Sequence, residues 1–166
     1  MIGSLRAVVI AFLLLSFGAV VEAGDLRTDP QKLVTFTLPD GWAERNRSNG
    51  IRYGRADAPS DKTVLAVSAK PRDADFDAEK QRAITRSQIE MQGARLLVDK
   101  SQRINDWTVW ESVMETSGES PLVMHTFHFF SQDVQADVRL IATKATYPKY
   151  QEDLRAVVAS LRRQKP

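Results

Sequence analysis

The stretch FTLPDGW, residues 36–42, sets the frame for the rest of the chain. Just upstream, Val34, Phe36 and Leu38 alternate with Thr35 and Thr37, the period of a half-buried strand over residues 33–38. Pro39 presets the φ of a turn's second position, Asp40 can bond the nearby backbone, and Gly41 accepts positive φ, so the chain reverses here. Trp42 then begins a second strand over residues 42–47. An aromatic ring placed at such a corner folds back on the end of the core, and Trp42 is therefore expected to be structural rather than a ligand contact.

Working outward, the second strand reaches Asn49-Gly50, the strongest short hairpin signal in the chain, and a third strand follows over residues 51–55. Residues 57–62, with Pro59, Ser60 and Asp61, form a loop. Val64, Ala66 and Ser68 then alternate with Leu65, Val67 and Ala69, as in a central strand covered on both faces. Asp75 is positioned to cap a helix whose first turn carries Asp77 and Glu79, the charge sign the helix dipole favours. Phe76, Ala83, Ile84, Ser87, Met91 and Ala94 recur at helical spacing as a single stripe that should pack on a sheet, and Gly93 marks the end. Longer strands follow over residues 100–115, 122–131 and 138–145, with turns around Ser117-Gly118 and residues 131–136. Pro148 sits in the first turn of a closing helix with Tyr150, Leu154, Val157, Val158 and Leu161 on its buried side. A strand meander, a helix, a second meander and a helix specify an α+β fold with an antiparallel sheet. Only residues 162–166 read as a disordered tail.

At the N-terminus Arg6 precedes the apolar run 7–15 and small residues leading to Val21-Glu22-Ala23, the order of a secretory signal peptide. Residues 1–23 are thus expected to be a signal peptide cleaved after Ala23, with an uncleaved anchor as the alternative. Residues 24–166 form one expected domain, long enough to bury most of its apolar surface. The chain has no cysteine, which leaves no lipoprotein acylation site, no disulfide and no thiolate metal site. With 23 basic and 21 acidic residues the net charge is only +2, which predicts no nucleic-acid partner and directs attention to local clusters. The expected location is periplasmic or secreted, without stable membrane insertion once the signal is removed.

The LPDGW corner at residues 38–42, the helix after the first meander and the closing segment YQEDLRAVVASLR at residues 150–162 together resemble the PsbP-like and DcrB-like proteins. These are small secreted or periplasmic domains with a sheet sandwiched between helices. The resemblance covers nearly all of residues 24–166. It implies a PsbP-like α/β/α sandwich and a non-enzymatic accessory, assembly or adaptor role. DcrB-like proteins are often lipoproteins, and this chain departs from them in lacking the cysteine.

Side chains capable of chemistry are sparse. His125 and His128 are the only histidines, and a spacing of three on a strand points them to opposite faces, so they cannot share a metal. Asp73, Asp75, Asp77 and Glu79 imitate the start of a calcium loop, but Ala78 and Ile84 stand where that loop needs Gly and a bidentate Glu. Helix capping accounts for these acids better. No Gly-x-Ser-x-Gly elbow, Gly-rich phosphate loop or His-Glu-x-x-His helix is present. No metal, cofactor or catalytic group is therefore predicted. A small secreted hydrolase with a dispersed active site is the competing possibility.

One cluster stands out: Arg45, Arg47, Arg52 and Arg55 surround Asn49-Gly50. A two-residue hairpin loop would place Arg47 opposite Arg52 and Glu44 opposite Arg55, the first pair repulsive and the second favourable. Arg45, Arg47 and Arg52 would then line one side, where planar guanidinium forks suit carboxylate, phosphate or lipid headgroups. The alternative is a solvated edge hairpin kept charged against aggregation. The function expected from the sequence is a non-enzymatic accessory or binding protein of the bacterial cell envelope. Its partner would be another envelope protein or an anionic envelope component.

Overall fold

The computed structural model describes residues 24–46, 51–58 and 62–164. The expected signal segment, Arg47 and the Asn49-Gly50 turn lie outside the described residues.

The elements in chain order are β1 (Asp25–Thr28), β2 (Val34–Leu38), β3 (Trp42–Asn46), β4 (Ile51–Arg55), β5 (Val64–Pro71) and α1 (Ala78–Met91). They continue with β6 (Arg95–Ile104), β7 (Trp107–Glu115), β8 (Leu122–Phe130), β9 (Val134–Thr143), α2 (Tyr147–Ser160) and β10 (Arg162–Arg163). Seven strands form one antiparallel sheet in the order β3-β4-β5-β9-β8-β7-β6, and a small sheet β1-β2-β10 lies apart from it. The expected α+β architecture, an antiparallel sheet of two meanders with a helix on each side, is what the chain adopts. Among the described residues no helix is long and apolar enough to cross a membrane.

Strand alternation divides the large sheet into two unlike faces. On the α2 face, Tyr53, Leu65, Val67, Trp107, Phe127, Phe129, Val138 and Leu140 are buried against α2 and β2. α2 contributes Tyr150, Leu154, Val157 and Val158, and Leu161 follows at its end, all buried as their spacing predicts. Full burial of each aliphatic side chain stabilises by about 1.5–3 kcal/mol relative to leaving it exposed, so this face carries most of the fold's hydrophobic stabilisation. β2 closes the layer through Val34, Phe36 and Leu38, with Phe36 edge-on to Tyr53 at 6.1 Å.

The α1 face is built differently. The apolar stripe expected on α1 does not hold, because Ile89 is the helix's buried residue while Ile84 and Met91 are 43% and 79% exposed. Guanidinium groups anchor the helix instead: Arg82 Nε donates to Asp99 Oδ1 at 2.7 Å, and Arg86 pairs with Asp99 Oδ2. The Trp110 indole N–H also donates to Asp99 Oδ1 at 2.7 Å, and Arg82 lies 5.9 Å above the Trp110 ring. The N-cap is Asp77 rather than Asp75, accepting from the Glu79 and Lys80 N–H groups at 2.9 and 3.0 Å.

Three other details differ from expectation. Residues 95–115 hold two strands, joined at Asn105, whose φ of 55° makes the tight reversal. β1 was not foreseen. Nor is the tail wholly free, since Arg162 and Arg163 pair with Thr35 and Val34 on the edge of β2, and the Gln164 N–H donates to Leu33 O at 2.8 Å.

Candidate functional site

The arginine cluster is the starting point, and its register differs from the two-residue hairpin. β3 and β4 pair Trp42 with Arg55, Ala43 with Gly54, Glu44 with Tyr53 and Asn46 with Arg52, with a bulge between Glu44 and Asn46. Arg45 is the extra residue at that bulge, which shifts every later pairing by one. Glu44 therefore does not oppose Arg55, and the ladder partner of Arg52 is Asn46. Arg45 lies across Gly54: a Cβ there would meet Arg45 Nε, Cζ and Cδ at 2.0, 2.2 and 2.5 Å. Its Nη2 donates to Arg55 O at 2.6 Å. Because Gly54 and Arg52 point to the same side of β4, Arg45 and Arg52 share the α1 face.

From Arg52 a lateral row crosses the sheet. Arg52 pairs with Ala66, Ala66 with Arg139, Arg139 with Thr126, Thr126 with Ser112, and Ser112 with Asp99. Helix α1 covers the Asp99 end of this row. At the other end Arg52 and Arg139 stand on either side of Ala66, about 10 Å apart at their Cα atoms for two interstrand spacings. Between them opens a pocket of about 100 Å³ lined by Arg52, Ala66, Ser68, Asp137 and Arg139. Arg139 Nε donates to Thr126 Oγ1 at 3.1 Å, which fixes the plane of its guanidinium. No carboxylate of the described residues pairs with Arg52 or Arg139, in contrast to Arg82 and Arg86, which both close on Asp99. This half of the α1 face can bind an anion through guanidinium forks. Sequence reasoning reached Arg45 and Arg52 but missed Arg139, Ser68 and Asp137. The one local signal was the alternation Asp137-Val138-Arg139-Leu140, which places both charges on one face.

The histidines occupy opposite faces as expected. His125 is buried in the α2 face, with Nδ1 2.8 Å from the Tyr147 hydroxyl and Nε2 3.0 Å from Glu111 Oε1. Burial pushes its pKa below the usual histidine value even though the Glu111 carboxylate pulls the other way, and burial likewise raises Tyr147. Glu111 is further held by Gln102 Nε2 and Lys100 Nζ, each at 3.0 Å. His128 on the α1 face stacks on Trp110 at 4.3 Å, and its Nδ1 lies 2.8 Å from Asp137 Oδ1.

Ser68, Asp137 and His128 are consecutive members of one cross-strand row. The carboxylate stands between the other two, so His128 is two strand spacings, about 10 Å at the Cα atoms, from Ser68, and its Nδ1 is engaged by Asp137 rather than by the serine. Among the described residues no group of three His, Cys, Asp or Glu side chains is placed to hold a metal ion. Asp73 pairs with Lys70 and Asp77 caps α1.

No family model and no curated protein matches the chain. Solved structures do. LpqN, involved in cell envelope biogenesis of Mycobacterium tuberculosis, is similar with a TM-score of 0.64 at 12% identity, over 86% of each chain. Cyanobacterial PsbP (CyanoP) from Synechocystis gives 0.61 at 10% identity, over 89% of this chain and 96% of that one. A Bacteroides thetaiotaomicron protein also gives 0.61, at 16% identity over 86% of this chain, and the match spans about half, 49%, of its length. At such identities the likeness is one of fold. The chain has the PsbP-like fold to which the LPDGW corner and the closing helix pointed.

Proposed function

We propose that the protein is an exported, non-catalytic binding protein of the bacterial cell envelope that engages an anionic partner through the half of its α1 face that lies beyond helix α1. The observation that carries this reading is the row Arg52–Ala66–Arg139, where a small residue leaves room between two arginines that form no ion pair with a described carboxylate, the nearby Asp137 being engaged by His128. Arg45, laid across Gly54, extends the positive edge on the same side, and Arg47, the third arginine expected from the sequence, lies outside the described residues. The signal-like residues 1–23 support export, and the fold shared with an envelope-biogenesis protein is compatible with an envelope setting. The hydrolase alternative finds no support in Ser68, Asp137 and His128, whose order across the strands is wrong for proton transfer from the serine.

Affinity capture from envelope extracts tests this proposal. Wild type is compared with the Arg45→Gln, Arg47→Gln, Arg52→Gln triple variant across a salt series. The variant should bind its partners more weakly and with flatter salt dependence, because fewer charges remain to be screened. Equal capture by both proteins at every salt concentration would show that these arginines only solvate an edge hairpin.

A further inference from the structure

Resting on that reading of the α1 face, we propose that the pocket between Arg52 and Arg139 is a subsite for a phosphate group, borne by a molecule that carries a hydroxyl beside the phosphate.

The size of the pocket sets the first limit. The pocket, about 100 Å³ and partly open to solvent, has room for an oxyanion and the group that carries it. A longer ligand enters end-on, with the rest of the molecule outside. The donors set the second. A planar carboxylate is satisfied by one guanidinium fork, whereas Arg52 and Arg139 approach from strands on either side of Ala66. Two forks arriving from opposite sides match a tetrahedral group with several free oxygens. Thr126 holds Arg139 by Nε alone, which leaves the Nη groups for the ligand.

Asp137 sets the third limit. Its carboxylate lines the same pocket and would repel a bare anion, while Oδ1 is engaged by His128. A ligand hydroxyl next to the phosphate turns this liability into a hydrogen bond, with Asp137 accepting and Ser68 available on the facing strand. Glycerol phosphate is the simplest molecule with these parts, either as a soluble ester or as the headgroup of an anionic phospholipid.

The purified exported protein, labelled with nitrogen-15, is titrated with inorganic phosphate and with glycerol 1-phosphate. In parallel it is sedimented with phosphatidylcholine vesicles with and without phosphatidylglycerol. Glycerol phosphate should move the amide resonances of Ala66, Ser68 and Arg139 and bind more tightly than inorganic phosphate. Arg139→Gln should weaken it at least about tenfold, the scale of a lost charge-assisted fork. Arg139→Lys, which keeps the charge and loses the fork, should also weaken it, so the result does not depend on one variant folding. Arg103→Gln, on the far strand β6, should bind as wild type. Sedimentation with phosphatidylglycerol vesicles that is lost in Arg139→Gln identifies the lipid headgroup as the source, and binding confined to glycerol phosphate identifies the soluble ester. Absence of shifts at these three residues up to millimolar ligand, or shifts unchanged in Arg139→Gln, would overturn the subsite. If capture from envelope extracts still depended on the arginines in that case, the anionic-partner reading would stand and only the phosphate assignment would fall.

Discussion

Replacing Trp42 with alanine removes the piece that ties the β3-β4 hairpin to the closing helix. The ring is 6% exposed and meets Tyr150 edge-on at 5.7 Å. Its indole N–H donates to Asp153 Oδ2 at 2.8 Å, and Arg55 lies 5.8 Å from the Trp42 centroid and 5.4 Å from that of Tyr150. Truncating a buried tryptophan costs about 3–5 kcal/mol, of which the aromatic pair accounts for about 0.5–1.5. Asp153 keeps Arg55 at 3.4 Å after the change, so no carboxylate is orphaned and the lower half of that range applies. For a domain of this size about 3–4 kcal/mol lowers the thermal midpoint by roughly 10 °C. Trp42→Phe, which retains an aromatic ring but loses the N–H donor and part of the indole's volume, should cost less, about 1–2 kcal/mol. Urea and thermal unfolding followed by circular dichroism measure both variants. A Trp42→Ala protein with an unchanged midpoint that had lost only partner capture would refute the structural assignment and make the corner a binding site.

Acidification tests the buried histidine. Because burial depresses the folded-state pKa of His125, the unfolded chain takes up the proton first as pH falls below about 6.5. Its contribution is full above that pH and declines toward pH 5, with a slope of at most about 1.4 kcal/mol per unit, before the carboxylates titrate. Urea midpoints between pH 8 and 5 should show this decline, and His125→Gln should flatten it. Stability that rises on acidification would mean that the imidazole protonates in place beside Glu111. A separate expectation concerns α1. Burial opposes the charge on Asp99, but the Trp110 N–H and the Arg82 and Arg86 guanidinium groups outweigh it and hold the carboxyl below its usual range. Asp99→Asn should therefore loosen α1 at a cost of about 1–3 kcal/mol, seen as faster amide exchange in residues 78–91. Unaltered exchange there would show that Ile89 alone secures the helix.

The parts legible in the sequence were those set by local spacing. The stripe Tyr150, Leu154, Val157, Val158 and Leu161 has one periodicity and one face, and the Pro-Asp-Gly corner has one available geometry, with Gly41 at φ 82°. α1 misled because its apolar residues are not what holds it. Ile84 and Met91 have helical spacing, yet the attachment runs through Arg82 and Arg86 to an aspartate on another element. The β6-β7 reversal was hidden because Asn105 adopts its left-handed conformation without a glycine beside it. Half of the candidate site was visible for a related reason. Arg45 and Arg52 are near each other along the chain, whereas Arg139 joins Arg52 only through two strand pairings. The bulge at Arg45 goes with the side chain lying in the space that Gly54 leaves by lacking a Cβ, which no single-strand pattern discloses.

The most direct measurement of the binding role is capture from envelope extracts by an Ala66→Phe variant. The aromatic ring fills the space between Arg52 and Arg139 without altering any charge, and it suits a strand position on the half-buried face away from the α2 core. The expected result is loss of partner capture with a thermal transition close to that of wild type. Full capture by a folded Ala66→Phe protein would contradict the assignment of this face as the binding surface.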